Sequence, residues 1–519
     1  MRRINTNIKF FLAFALITTI SLGLGACSNP NKSSADVQEL VIAVPRVGEF
    51  NPLKGYNLLA AFGVTETLVE VDSVLSLRPN LAERWETVDE KRWRFYLRKG
   101  VQFHDGTRFD AQAAKFSLER YLKAGPAWLD IPPTEIKIED EYTLLLTAKE
   151  PGLLLPAYFT NRASSIISPN SFSEDGRFIK PIGTGPFKFG SGRARWEMVL
   201  VRNERYWGGN ARLKKVVVKK NIDPQTRIFM LEAGEAGVIQ TVPTQEVTRL
   251  QASPKYNILK SRFPGNVQLY FNVIKEPFND LKVRKAVNYA IDRDALVHFF
   301  EGHVIPAKAP FPPGLPWSVE NLTGYAYDKE KASRLLAKAG WQMGADRTLS
   351  KAGKQFEVEL LVRGDMLEQV QTAEIVQGQL SEIGIRVNIK SLETGNWMNA
   401  MQEKNWHLAV SGRGTLFIAD PYAYLTTDFH SKGSYNRTGY QNSEVDRLLE
   451  LGRRQTDSAK RIAICQQVQR ILVEETPIAF LYHPPQIYAV SSKVKALELK
   501  SPFSQSLTLG KAYIEGGKR

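Results

Sequence analysis

Six histidines, at positions 104, 298, 303, 407, 430 and 483, are the first candidates for metal ligation or proton transfer in this chain. Two imidazoles on one helix can share a metal only when they stand three or four residues apart, and the nearest pair, His298 and His303, is five apart. No G-x-S-x-G nucleophile elbow, no H-E-x-x-H pair and no zinc-spaced cysteine cluster is present. A Ser/His/Asp triad would have to assemble across space, and no local motif favours one. The stretch 181–187, PIGTGPF, is glycine-rich but lacks the Lys and the following Ser/Thr of a phosphate loop. Its glycines and proline suit a sharp reversal that feeds a strand. The residue types therefore point to binding, with catalysis as the rival class.

Any binding residue must be held by a chain of 519 residues, too long for one small core, so two or three domains are expected. Hydrophobic content of 43% and charged content of 24% are globular values. Residues 92–97 alternate at period two, with Trp93, Phe95 and Leu97 on one face, which predicts a strand. A turn at His104-Asp105-Gly106-Thr107 follows, and Asp110 stands as N-cap of a helix. Residues 135–149 predict two strands meeting at Asp140-Glu141, and 60–71 predict a helix. Farther on, 281–300, 328–340 and 372–384 read as helices, while 385–389, 407–412 and the return segment 477–488 read as strands. Helix and strand in alternation argue for an α/β fold.

The N-terminus bears on the compartment. Arg2, Arg3 and Lys9 precede an apolar run of signal-peptide length, and Leu24-Gly25-Ala26-Cys27 closes it. This tetrapeptide resembles the bacterial lipobox, which predicts a signal peptide at 1–26, lipidation of Cys27 and a flexible tether at 27–37. Only Cys465 then remains, so the processed chain has no intramolecular disulfide; it lies in an apolar helical run and reads as a buried small hydrophobe. Net charge is +15, or +12 without Arg2, Arg3 and Lys9. The basic residues are scattered rather than gathered in a stripe, which argues against nucleic acid and for attraction to anionic surfaces or solutes.

Several motifs, taken in order, carry a resemblance. Residues 92–120, RWRFYLRKGVQFHDGTRFDAQAAKFSLER, are followed by PIGTGPF at 181–187, by RNERYW at 202–207 and by LKVRKAVNYAIDRDALV at 281–297. The chain is identified by these as resembling the bacterial extracytoplasmic solute-binding proteins of family 5, which serve peptide and nickel ABC importers. The resemblance implies a two-lobed α/β periplasmic-binding-protein fold (type II, cluster C) with mixed sheets and a hinge. The lobes would be 38–266, with a family-specific subdomain at about 57–180, and 267–484, with 485–519 returning to the first. It also implies capture of a small solute (peptide-like or metal-chelate), delivery to permease subunits, a monomer anchored outside the cytoplasm through Cys27, and no enzymatic activity or cofactor. An envelope enzyme or chaperone-like protein on the same scaffold is the alternative.

The ligand-binding positions follow from the same resemblance. Tyr56, Trp128 and Arg162 match pocket residues of the nickel-binding branch, Arg162 to pair with a ligand carboxylate and Trp128 to stack. Arg413, Thr415, Phe417 and Asp420 lie in the segment that reaches His430, the position where that branch has a metal-touching histidine; otherwise no metal ligand is implied. The chain departs from the branch at Ala61, Gly125 and Thr415, where pocket Met, Arg and Trp stand. Peptide-binding relatives carry an Asp three residues before the Asp-Pro dipeptide, to pair with the peptide ammonium. Here that residue is Phe417, and a buried ammonium without its counter-charge costs several kcal/mol.

Overall fold

In the computed structural model, residues 38–54, 58–72, 75–124, 131–262, 264–500 and 506–516 are described. Glu39–Val44 is the centre of the first sheet because it is apolar on both faces: Leu40, Ile42, Ala43 and Val44 are all buried. It pairs in parallel with Lys215–Lys220 on one side and Val238–Gln240 on the other. Glu197–Arg202 and Phe187–Arg193 extend the sheet on the Lys215 side. On the opposite side, Gln486–Ser491 lies between Val238–Gln240 and Tyr256–Ser261, antiparallel to both. This late strand completes the first lobe.

The second lobe is built on a six-stranded sheet in the order Ile305–Pro306, Ile478–His483, Gly265–Phe271, Leu408–Gly414, Glu357–Arg363, Arg386–Leu392. Helices cover both faces, leaving one apolar cluster around Leu269, Val287 and Leu360 and another around Tyr270, Trp406 and Leu472. Cys465 belongs to the second of these and is fully buried, with its thiol pushed up by burial. The chain passes between the two sheets twice, from Ser261 to Gly265 and from His483 to Gln486. His483 is buried at the second passage, where its Nδ1 donates to the carbonyl of Gly265 at 2.8 Å and so ties the two passages together.

A four-stranded antiparallel sheet, Ala82–Thr87, Arg92–Leu97, Thr143–Ala148 and Thr134–Asp140, belongs with the first lobe. Helix Ala111–Ala124 covers it with Ala114, Leu118 and Tyr121, and Asp110 caps it by accepting the Ala113 N–H at 3.0 Å. Two helices expected from the sequence take other forms. Residues 60–71 form turns and the strand Val69–Val71, because Gly63 adopts φ +72° and Glu66 pairs with Ile166 as a bridge. The span 281–300 is broken into Leu281–Ala290 and Arg293–Phe299: Ile291 is extended, and Asp292 starts a new helix by accepting the Ala295 N–H at 2.9 Å.

The sequence motifs prove to be mutual partners. Glu66 is buried and accepts from Thr184 at 2.7 Å, Tyr206 at 2.8 Å and the Trp207 indole at 3.0 Å. Desolvation raises its pKa and these three donors oppose the rise. The loop at 181–187 fits no phosphate. A Cβ on Gly183 would lie 2.0 Å from the Val64 carbonyl oxygen, and one on Gly185 2.3 Å from that of Gly63. The glycines are there because two backbones touch.

His104 holds the same loop. Its Nδ1 accepts the Gly183 N–H at 3.2 Å, which leaves Nε2–H to donate to the Gly185 carbonyl at 3.0 Å. Both nitrogens are used with the ring neutral, and burial lowers its pKa to about 4; His483 is lowered to about 4 by the same cause. An unfolded histidine titrates near 6.5, so between pH 6.5 and 4 the unfolded chain binds more protons. Stability is therefore whole above pH 6.5 and falls as the pH drops through that window, by up to about 3 kcal/mol for each residue. Melting curves between pH 7 and 4.5 should show this fall, with a flatter profile for His104→Gln. An unchanged slope in the variant would remove His104 from the account.

Candidate functional site

The parallel strands Glu357–Arg363, Arg386–Leu392 and Leu408–Gly414 all end at one edge of the second-lobe sheet. Gly414 pairs there with Gly265, where the chain has just crossed from the first lobe. This carboxyl edge, the usual location of ligand sites in open α/β sheets, thus faces the other lobe. Residues just beyond the three strands line it: Met366 and Leu367 after the first, Trp397 and Met398 after the second, Arg413 and Thr415 at the third. Met366, Leu367 and Met398 leave 38%, 61% and 41% of their surface exposed, an apolar rim along this edge.

The two lobes touch across this edge. Asn161 Nδ2 of the first donates to the Phe417 carbonyl of the second at 2.8 Å. Ile418 and Ala423 belong to the apolar cluster of the small four-stranded sheet, and Leu75 of the first lobe packs against the cluster that contains Trp397. Gly152, at φ +74°, lies against the backbone of Arg454: a Cβ there would be 2.3 Å from the Arg454 carbonyl oxygen.

At the edge stands a layered cationic cluster. Arg413 forms a buried fork-to-fork pair with Asp428, Nε to Oδ1 at 2.8 Å and Nη2 to Oδ2 at 2.6 Å. Burial works to lower the Arg413 pKa, but the Asp428 charge and hydrogen bonds overcome it and hold the group above its ordinary value. The Tyr435 ring lies between two guanidinium groups, 4.1 Å from Arg413 and 4.0 Å from Arg437. Arg437 also sits 5.3 Å from the Trp397 ring.

The family model described as "Bacterial extracellular solute-binding proteins, family 5 Middle" matches residues 76–436. The chain belongs to this family. Among its curated relatives, the "Probable D,D-dipeptide-binding periplasmic protein DdpA" of Escherichia coli (strain K12) is 29% identical over 80% of this chain and 81% of that protein. The nickel-binding periplasmic protein of the same organism is 30% identical over 78% and 80% respectively. Among solved structures, NikA from Brucella suis in complex with Fe(III)-EDTA superposes with a TM-score of 0.85 at 26% identity, covering 92% of this chain and 100% of that one. The two-lobed α/β architecture is that of the periplasmic binding proteins.

Within this family 5 protein, the residues singled out from the sequence separate by position. Cys27, Tyr56 and Trp128 lie outside the described residues. Arg162 is half-buried at a short turn, Arg162–Ser164, where Nη2 donates to Ser506 Oγ at 2.9 Å. Thr415 is fully buried, and its hydroxyl makes no hydrogen bond among the described residues. Phe417 presents its ring to Arg413 at 5.0 Å and its carbonyl to Asn161. Asp420 is occupied within the second lobe: one oxygen accepts the Tyr422 N–H at 3.0 Å as a helix cap, and the other accepts from Arg461 Nη2 at 2.5 Å.

His430 lines a cavity of about 280 Å³ with Glu150, Lys432 and Glu450. Its Nδ1 accepts the Lys432 N–H at 3.0 Å, and its Nε2 is 3.5 Å from Glu450. No group of three or more metal-ligating side chains occurs among the described residues. Sequence reasoning missed Trp397, Tyr435 and Arg437. Only the alternation of Tyr435 and Arg437, two residues apart, hinted that both project to one side. A larger cavity of about 400 Å³ is lined by Arg293, Tyr325, Thr476 and Ile478 of the second lobe. None of the described helices is long and apolar enough to cross a membrane.

Proposed function

We propose that this protein captures a small solute, peptide-like or a metal chelate, between its two lobes and delivers it to the permease subunits of an ABC importer of the peptide/nickel type. The carrying observation is the carboxyl edge of the second-lobe sheet. It faces the first lobe, exposes an apolar rim and holds a surplus guanidinium beside aromatic rings. Relatives named for a D,D-dipeptide and for nickel, and a neighbour holding Fe(III)-EDTA, indicate the classes of solute that this fold accepts. The protein acts by binding rather than by catalysis, as the family does. It works as a monomer without cofactor, outside the cytoplasm, held to a membrane through lipidated Cys27.

Domain limits of 38–266, 267–484 and 485–519 belong to the same proposal. They are supported by the membership of the two large sheets, with the hinge at the paired crossings beside Gly265 and His483. Arg162 and the residues from Arg413 to Phe417 then approach the solute from opposite lobes.

Mass spectrometry of protein extracted from its own cells tests this in one preparation. Under denaturing conditions the chain should begin at Cys27 and carry acyl mass; under native conditions a small-molecule adduct should leave on activation. An unmodified chain would remove the anchor. An empty protein across growth media, with no solute restoring an adduct, would remove solute capture.

A further inference from the structure

We propose that Arg437 is the group that receives a carboxylate of the captured solute, with Trp397 beside it as a second donor. The proposal rests on the solute-binding reading above and names the chemistry of that site.

Most other guanidinium groups held inside this molecule have polar partners; Arg120, half-buried against Phe116 and Phe172, shares an unpartnered Nε but lies away from the strand edge. Arg413 has Asp428, and Arg461 has Asp420 plus the carbonyls of Gly452 and Arg453. Arg227 donates to the carbonyls of Asn221, Ile222, Gln240 and Thr241. Arg284 reaches those of Phe278, Glu475 and Thr476. Arg437 is only 9% exposed, yet among the described residues its Nε has no hydrogen-bond partner and Nη2 reaches only the thioether of Met398 at 3.6 Å. No carboxylate pairs with it among the described residues. A desolvated cation in this condition is costly unless an anion arrives.

The anion's shape is set by the edge that is free. Arg413 uses Nε and Nη2 together to grip Asp428. Arg437 presents the same Nε/Nη2 edge, in the geometry that accepts a carboxylate through two parallel bonds. Beside it the Trp397 indole N–H, 4% exposed, also lacks a partner among the described residues. The exposed Met366, Leu367 and Met398 along the same strand edge suit an apolar or aromatic flank on the solute. The solute class is therefore a carboxylate with an apolar body, such as the carboxyl end of a short peptide or an aromatic carboxylic acid.

The test uses the full-length protein and four probes: alanyl-phenylalanine, its C-terminal amide, hippurate and hippuramide. Ligand-induced shifts in melting temperature are read for the wild type, Arg437→Gln and Arg437→Lys. The acids should stabilise the wild type at concentrations at least about tenfold below their amides. Arg437→Gln should lose that discrimination, and Arg437→Lys, which keeps the charge without the fork, should recover part of it. Without probe, Arg437→Gln should melt no lower than the wild type, since it removes an uncompensated buried charge; a clear drop would assign Arg437 a structural role and overturn the proposal. It is also overturned if acids and amides act alike on the wild type, if no acid acts, or if Arg437→Gln responds as the wild type does. Amides that stabilise both proteins equally would leave solute capture standing without Arg437. No response to any probe, together with an empty native mass spectrum, would remove both.

Discussion

Replacing Asp428 by alanine is expected to destabilise the second lobe by about 3–5 kcal/mol, because it leaves the Arg413 guanidinium buried and unpaired. Arg413 and Asp428 expose only 8% and 2% of their side chains, and both Nε and Nη2 of the arginine are committed to the carboxylate. Thr427 Oγ1 also lies 2.8 Å from Asp428, but it keeps the Ala423 carbonyl at 3.0 Å as an alternative acceptor, so the cost falls on Arg413. The cost comes from stranding a charge rather than from any large net worth of the pair. Replacing both partners by apolar residues, Arg413→Met with Asp428→Leu, should therefore recover most of the stability. Denaturant unfolding followed through the second-lobe transition checks both. If Asp428→Ala costs less than about 1 kcal/mol, the carboxylate is not the counter-charge the geometry makes it.

The second large effect is on closure rather than on folding. Gly152→Ala places a methyl group where the Arg454 backbone already lies, 2.3 Å from its oxygen and 2.5 Å from its Cα. A backbone at the end of a packed helix cannot give way as a flexible side chain can, so the relief is for residues 150–154 and the second lobe to move apart. The variant should stay folded, show a larger radius of gyration by small-angle scattering, and lose most of its native-mass solute adduct, since a solute held between lobes needs both. Gly152 also has φ +74°, which alone costs an alanine about 1 kcal/mol. Gly176→Ala is the matched control, with φ +79° and open space around the added methyl. Equal solute retention in the two variants would show that contact with Arg454 does not govern closure.

The extent to which the sequence foretold this molecule depended on how local each feature was. The strand Arg92–Leu97 and the Asp110 cap came from period and residue type alone, because both are set within a few residues. The motifs RNERYW and PIGTGPF could be spotted as strings. That Glu66 joins them, and that His104 fastens the glycine loop, depends on residues more than a hundred positions apart in the first case and about eighty in the second. The single helix expected over 281–300 failed at Ile291-Asp292, where an apolar stripe continues in the sequence while the cap of Asp292 starts a new axis. At the site, Arg413 and Phe417 could be located through the segment leading to Asp420. Trp397 and Arg437 belong to different elements forty residues apart and meet only because three parallel strands end at one edge.

The placement of Gln486–Ser491 between Val238–Gln240 and Tyr256–Ser261 has a consequence for assembly. Until that segment joins, the first-lobe sheet has a vacant slot, and Val238–Gln240 and Tyr256–Ser261 have no shared neighbour. The second lobe is contiguous between the two crossings and depends on nothing outside them except closure. The long-range step therefore comes late: a ribbon must be threaded between two strands more than two hundred residues before it, which gives the lobe that appears first in the sequence the slower topology to complete.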